Sequence, residues 1–97
     1  MAKHIYKLFI SKKLDPWYQL SKEEQKSLIA KLDDAFEKVG GKKVILCDSS
    51  WSSDQWSVSG VEEFPNIEAV QSYMAALKNL DWFRYNDSTH VLGTKLE

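Results

Sequence analysis

A single cysteine, Cys47, among 97 residues leaves no internal disulfide and no cysteine-based zinc site. Long apolar runs are also missing, and none approaches the roughly 18 residues of a membrane-spanning helix. In the N-terminal stretch MAKHIYKLFI, Lys7 interrupts the one apolar candidate, so no secretory signal is expected there. Charge of one sign is absent too. Thirteen basic residues offset fourteen acidic ones for a formal net charge of -1, and the lysines interleave with acids instead of forming a stripe. Neither nucleic acid nor a membrane is therefore an expected partner. Glycine is sparse, and the Gly40-Gly41 pair follows a helical pattern, the wrong context for a phosphate-cradling loop. These absences leave a cytoplasmic protein as the expectation. It is one domain over residues 1–95, with Leu96-Glu97 read as an expression-tag remnant.

Aromatic residues are plentiful instead. They make up 12% of the chain, and four are tryptophan, more large rings than one thin core needs. Some are expected to line a pocket or a subunit interface. A chain this short buries only about 60–65% of its extended surface, so burial through association adds usefully to its stability.

Residues 3–11, KHIYKLFIS, read as a strand with Tyr6, Leu8 and Ile10 on one face and Ile5 and Phe9 on the other. The segment KKLDPWYQL reads as a connection broken by Pro16. Ser21 with Glu24 forms a capping-box pattern, and Leu28, Ile29, Leu32, Ala35, Phe36 and Val39 recur at helical spacing up to Gly40-Gly41, predicting a helix over 21–39. KKVILCDS is a second strand, SSWSSDQ a hairpin tip and WSVSGVEEF a third strand. Asn66 caps a second helix over 67–80, and THVLGTK is the last strand. Residues 82–86 stay open between strand, helix end and coil. The order β-α-β-β-α-β predicts an α+β, ferredoxin-like domain. Right-handed crossovers give a four-stranded antiparallel sheet, order 4-1-3-2, with both helices on one face. The strands carry apolar groups on both sides, so the uncovered face would be a large apolar patch. The expected partner is a second copy of the chain, a homodimer through the open sheet face.

The stretch PWYQLSKEEQ at 16–25, a tryptophan shortly before a Leu-Ser-Lys-Glu-Glu helix start, and the run SVSGVEEFPNIEAVQSYMAAL at 57–77 carry a family likeness. Through them, and through element order over about 3–95, the chain resembles the dimeric α+β barrel superfamily, and within it the small uncharacterised darcynin-like proteins. The resemblance implies the barrel dimer. It does not fix an activity, because that superfamily holds monooxygenases, haem-degrading enzymes, isomerases, mutarotases and stress-response proteins.

His4 and Tyr6 lie two apart and share a strand face. With His4 set opposite Glu62 on the antiparallel third strand, Tyr6 would fall near Gly60 and Ile10 near Trp56. That register makes His4 a candidate base positioned by Tyr6 and Glu62. The plainer reading has His4 fraying and Glu62 solvated. Trp51 and Trp56 either frame a flat or apolar ligand or serve packing, and Arg84 either stacks on rings to hold an anion or pairs with a surface acid. Cys47 reads as a small buried hydrophobe. His4 and His90 are the only histidines, without metal-ligand spacing, and neither a metal nor a cofactor is expected. Three functions remain: binding of a small apolar or aromatic molecule in an aromatic-lined cavity, cofactor-independent monooxygenase or isomerase chemistry on His4, Tyr6 and Glu62, and a structural oligomerisation module.

Overall fold

The computed structural model describes residues 3–96. Strand β1 (Ile5–Lys13) leads through a short helix, α1 (Asp15–Tyr18), into the long helix α2 (Lys22–Lys38). Strands β2 (Lys42–Asp48) and β3 (Val58–Phe64) form the hairpin, and α3 (Ile67–Asn79) follows. A 3-10 turn over Trp82–Arg84 then delivers strand β4 (Asn86–Gly93). The sheet is antiparallel in the order β2-β3-β1-β4, the expected arrangement, and both long helices cover one face. Among the described residues no helix is long and apolar enough to cross a membrane.

Local chemistry accounts for the helix ends. Ser21 and Glu24 exchange the two bonds of a capping box, with the Ser21 hydroxyl 3.1 Å from the Glu24 amide and the Glu24 carboxylate 2.9 Å from the Ser21 amide. Gly40 closes α2 at φ 80°, a left-handed conformation that costs glycine little. Asn66 caps α3 by accepting from the Ala69 amide at 2.8 Å.

Two expectations change here, and one left open is filled. The first strand runs to Lys13, two residues further, and the connection after it holds α1, because Pro16 falls in a first helical turn where its missing N–H costs nothing. Residues 82–84 form the 3-10 turn, reached through Asp81 at φ 56°. The third strand begins at Val58, which leaves Trp56 in the hairpin loop.

The core lies between the sheet and the helices. Leu32 and Phe36 of α2, Ala69, Val70, Tyr73 and Leu77 of α3, Phe64 of β3 and Trp82 of the 3-10 turn are its buried members. Phe64 has no exposed surface, and its ring meets Phe36 edge-on at 5.5 Å. Strand β2 is different. Every residue of it is exposed, and its pairing with β3 shifts between Lys43 and Ile45, a bulge that leaves Val44 as the extra residue.

Candidate functional site

Phe64 pins the register on which the site depends. Its ring must enter the core, so β3 turns Phe64, Glu62, Gly60 and Val58 toward the helices. Their partners on β1 are Ile5, Lys7, Phe9 and Ser11. Directly opposed residues of an antiparallel pair share a face, so Lys7 and Glu62 face each other beneath the helices. On the far side of β1, Ser11 pairs with Ser88 and Lys13 with Asn86 of β4.

The result is a cleft of about 280 Å3 between sheet and helices. Its apolar wall includes Phe9, Ile29, Leu46, Leu77 and Trp82. Gly60 lets the Phe9 ring lie close over β3: a Cβ there would sit 2.6 Å from the Ile45 carbonyl oxygen and 3.0 Å from the Phe9 ring.

Polar groups mark the two ends. At one end Lys7 is only 7% exposed, and its Nζ lies 3.8 Å from Glu62 Oε1. That separation is longer than a hydrogen bond. No nitrogen or oxygen of a described side chain is both sealed off and unpartnered. The Lys7 ammonium, 5.9 Å from the Phe9 ring centroid and 5.7 Å from that of Tyr73, therefore opens into the cleft with donor capacity to spare. Burial pushes the Lys7 pKa down against the opposing pull of Glu62, and it pushes the Glu62 pKa up against the pull of Lys7 and Lys43. Burial also raises the Tyr73 hydroxyl, with the charges of Glu62 and Asp33 adding to the effect, so it stays protonated. Lys43 reaches from β2 to Asp33 of α2 at 3.2 Å, an exposed ion pair on the rim.

At the other end Lys13 donates to the buried Asn86 at 3.3 Å. Its Nζ stands 5.3 Å from the Trp17 ring centroid and 5.1 Å from that of Trp82. Those rings meet edge-on at 5.7 Å, brought together by α1 and the 3-10 turn. Partial burial lowers the Lys13 pKa, and the ring faces offset the lost hydration.

The anticipated trio does not assemble. With Lys7 opposite Glu62, the pairing differs from the expected one by an odd number of positions, and an odd shift moves Glu62 to the other face. Tyr6 pairs with Glu63 on the open face, and Gly60 lies opposite Phe9 instead of Tyr6. His4 bonds the carboxylate of Glu63, with about half of its side chain exposed. Of the three, Glu62 alone lines the cleft. Trp51 is 83% exposed at the hairpin tip. Trp56 stands beside β1, its ring centroid 5.5 Å from Lys12 Nζ. Arg84 is exposed, 4.0 Å from Asp81 and over the Tyr85 ring at 5.8 Å. None of these three lines the cleft. Cys47 is exposed on β2 rather than buried, because that edge strand has no cover. His90 is exposed opposite Phe9, its pKa lowered by partial burial and then by the charge of Lys7.

Lys7 and Tyr73 were missed, yet a signal for Lys7 exists. It stands between Ile5 and Phe9 on the face assigned to the core, as Glu62 stands two before Phe64, and a charge at a core position is the mark of a site.

The other face of the sheet is a shallow apolar hollow of about 440 Å3 lined by Leu8, Ile10, Ile45, Cys47, Val61 and Val91. Leu8 is 50%, Ile45 53% and Val91 68% exposed.

The fold is the ferredoxin-like α+β arrangement. No protein-family model matches the chain, and no curated protein matches it. Solved structures do. A chlorite dismutase variant from Candidatus Nitrospira defluvii is 22% identical with a TM-score of 0.79, the match covering 100% of this chain and 42% of that one. A protein of unknown function from Rhodopseudomonas palustris is 17% identical with a TM-score of 0.66, covering 100% of this chain and 85% of that one. A dimeric protein of unknown function and ferredoxin-like fold from Bacteroides fragilis is 16% identical with a TM-score of 0.50, covering 95% and 96%. The chain thus spans less than half the length of the dismutase, and identities this low speak for the fold alone.

Proposed function

We propose that the chain is a homodimeric small-molecule-binding protein of the dimeric α+β barrel superfamily, related to the darcynin-like group and working in the cytoplasm. Its ligand is a small, largely apolar or aromatic molecule seated in the cleft between sheet and helices, with a polar edge turned to Lys7 and Glu62. The observation that carries this reading is Lys7, a residue 7% exposed whose ammonium lacks a close hydrogen-bond partner among the described residues where it meets the cavity. A buried donor left in that state favours an acceptor supplied from outside. Dimerisation through the open face is supported by the exposed Leu8, Ile45 and Val91 on that side and by the dimeric Bacteroides fragilis neighbour.

The test uses small aromatic probes, benzyl alcohol and indole. Binding in the cleft is expected to quench emission from Trp82 and Trp17 and to raise the melting temperature. A flat response to both probes, by emission and by melting, overturns the reading.

A further inference from the structure

We propose that Lys7 forms an imine with a small aldehyde or ketone, aromatic by preference, held in the cleft, and that Glu62 carries the protons of the reaction. The proposal rests on the ligand-binding reading above and deepens it by naming the ligand's reactive group.

Imine formation needs a neutral amine facing a cavity, an acid beside it and a dry wall around both. Lys7 supplies the amine, 7% exposed and opening into the cleft. Glu62 supplies the acid, its oxygen 3.8 Å from Nζ and its side chain 13% exposed. That gap leaves the two groups adjacent without locking them in a tight pair. Phe9 and Tyr73, whose ring centroids lie 5.9 Å and 5.7 Å from Nζ, supply walls suited to a flat ring. Burial also moves both groups toward the forms the reaction uses, lowering the Lys7 pKa and raising that of Glu62.

The reaction balances without an oxidant or reductant. The Nζ lone pair adds to the carbonyl carbon while the carbonyl oxygen takes the proton of the Glu62 carboxyl group. The Glu62 carboxylate recovers a proton from the nitrogen, leaving a neutral carbinolamine. Glu62 then protonates the hydroxyl, which departs as water as the C=N bond forms. Loss of the remaining N–H proton to Glu62 restores the acid.

The experiment treats the folded protein near neutral pH with benzaldehyde and sodium cyanoborohydride, which reduces any imine to a stable benzylamine, and maps the label by peptide mass spectrometry. Lys7 is expected to be labelled at least ~10-fold faster than the exposed Lys22 and Lys78 of the same molecule, and Glu62→Gln to slow Lys7 by ~10-fold with those two unchanged. Labelling of Lys7 no faster than the exposed lysines overturns the proposal. Because the comparison is internal to the wild-type chain, it stands even if the variant folds poorly. Benzyl alcohol separates the two readings. Tryptophan quenching by the alcohol with Lys7 unlabelled leaves the binding site standing and removes the imine, whereas no quenching and no label removes both.

Discussion

The two faces of the sheet invert the usual rule. Beneath the helices, Lys7, Ser11 and Asn86 are buried, and Glu62 stands opposite Lys7. On the side the helices leave uncovered, Leu8, Ile45 and Val91 are half exposed or more. A chain designed only to stand alone would place these groups the other way round. The difference teaches that each face departs from a minimal fold for its own reason. Polar groups inside cost stability and fit the proposed site, and apolar groups outside fit the proposed pairing with a second copy.

The sharpest way to test the contrast is to strike the covered face where it is purely apolar. Phe64→Ala removes a ring with no exposed surface and two aromatic neighbours, and is expected to cost about 3–5 kcal/mol in urea denaturation, enough to unfold most of so small a domain. The polar part of the same face should behave differently. Lys7→Met leaves Glu62 buried without its countercharge, and should cost about 3 kcal/mol at neutral pH. The pH dependence has a definite sign. The folded-state pKa of Glu62 is raised above its ordinary value of 4.5, so its contribution to stability is present below that pH and is lost as pH rises through the folded value. The Lys7→Met deficit should therefore shrink when the urea melts are repeated near pH 4.5. Adding Glu62→Leu should recover most of it at neutral pH, because an apolar pair of similar size removes both desolvation costs.

The open face yields next. Val91→Glu places a charge where the second copy is expected to pack. It should weaken the dimer by ~100-fold or more, equivalent to about 3 kcal/mol, while the single chain stays folded. Sedimentation across a concentration series reads this directly, and an unshifted association curve would refute pairing through that face. The smallest effect belongs to a residue on neither face. Asn66→Ala loses the cap on α3 and should cost about 1 kcal/mol in denaturation with dimerisation untouched.

Much of this architecture can be read from the chain. Ser21 with Glu24, Asn66 before an apolar stripe, and Gly40 after one are local signals, and local signals decide helix ends whatever the rest of the molecule does. The alternation of β1 likewise separates Ile5 and Phe9 from Leu8 and Ile10. The site was harder because it depends on register, which is set far away in sequence by the burial of Phe64. The expected register sets Glu62 opposite His4, whereas the structure sets it opposite Lys7 in the cleft. The tryptophans show the same dependence on distant packing. Trp51 and Trp56 fall in a hairpin loop outside the cleft, whereas Trp17 and Trp82, in segments without a regular pattern, meet around Lys13. No spacing rule links positions so far apart, and only the packed chain brings them to one ammonium.

The irregular pairing at Val44 has a consequence for behaviour at high concentration. A straight outer strand offers an unbroken row of backbone donors and acceptors to any neighbour. The extra residue between Lys43 and Ile45 twists that row out of line, so another ribbon cannot zip along it. Crowding at that border is therefore steered away from open-ended fibrils, and the proposed closed pairing of two copies through the flat side of the molecule would meet no competition from it.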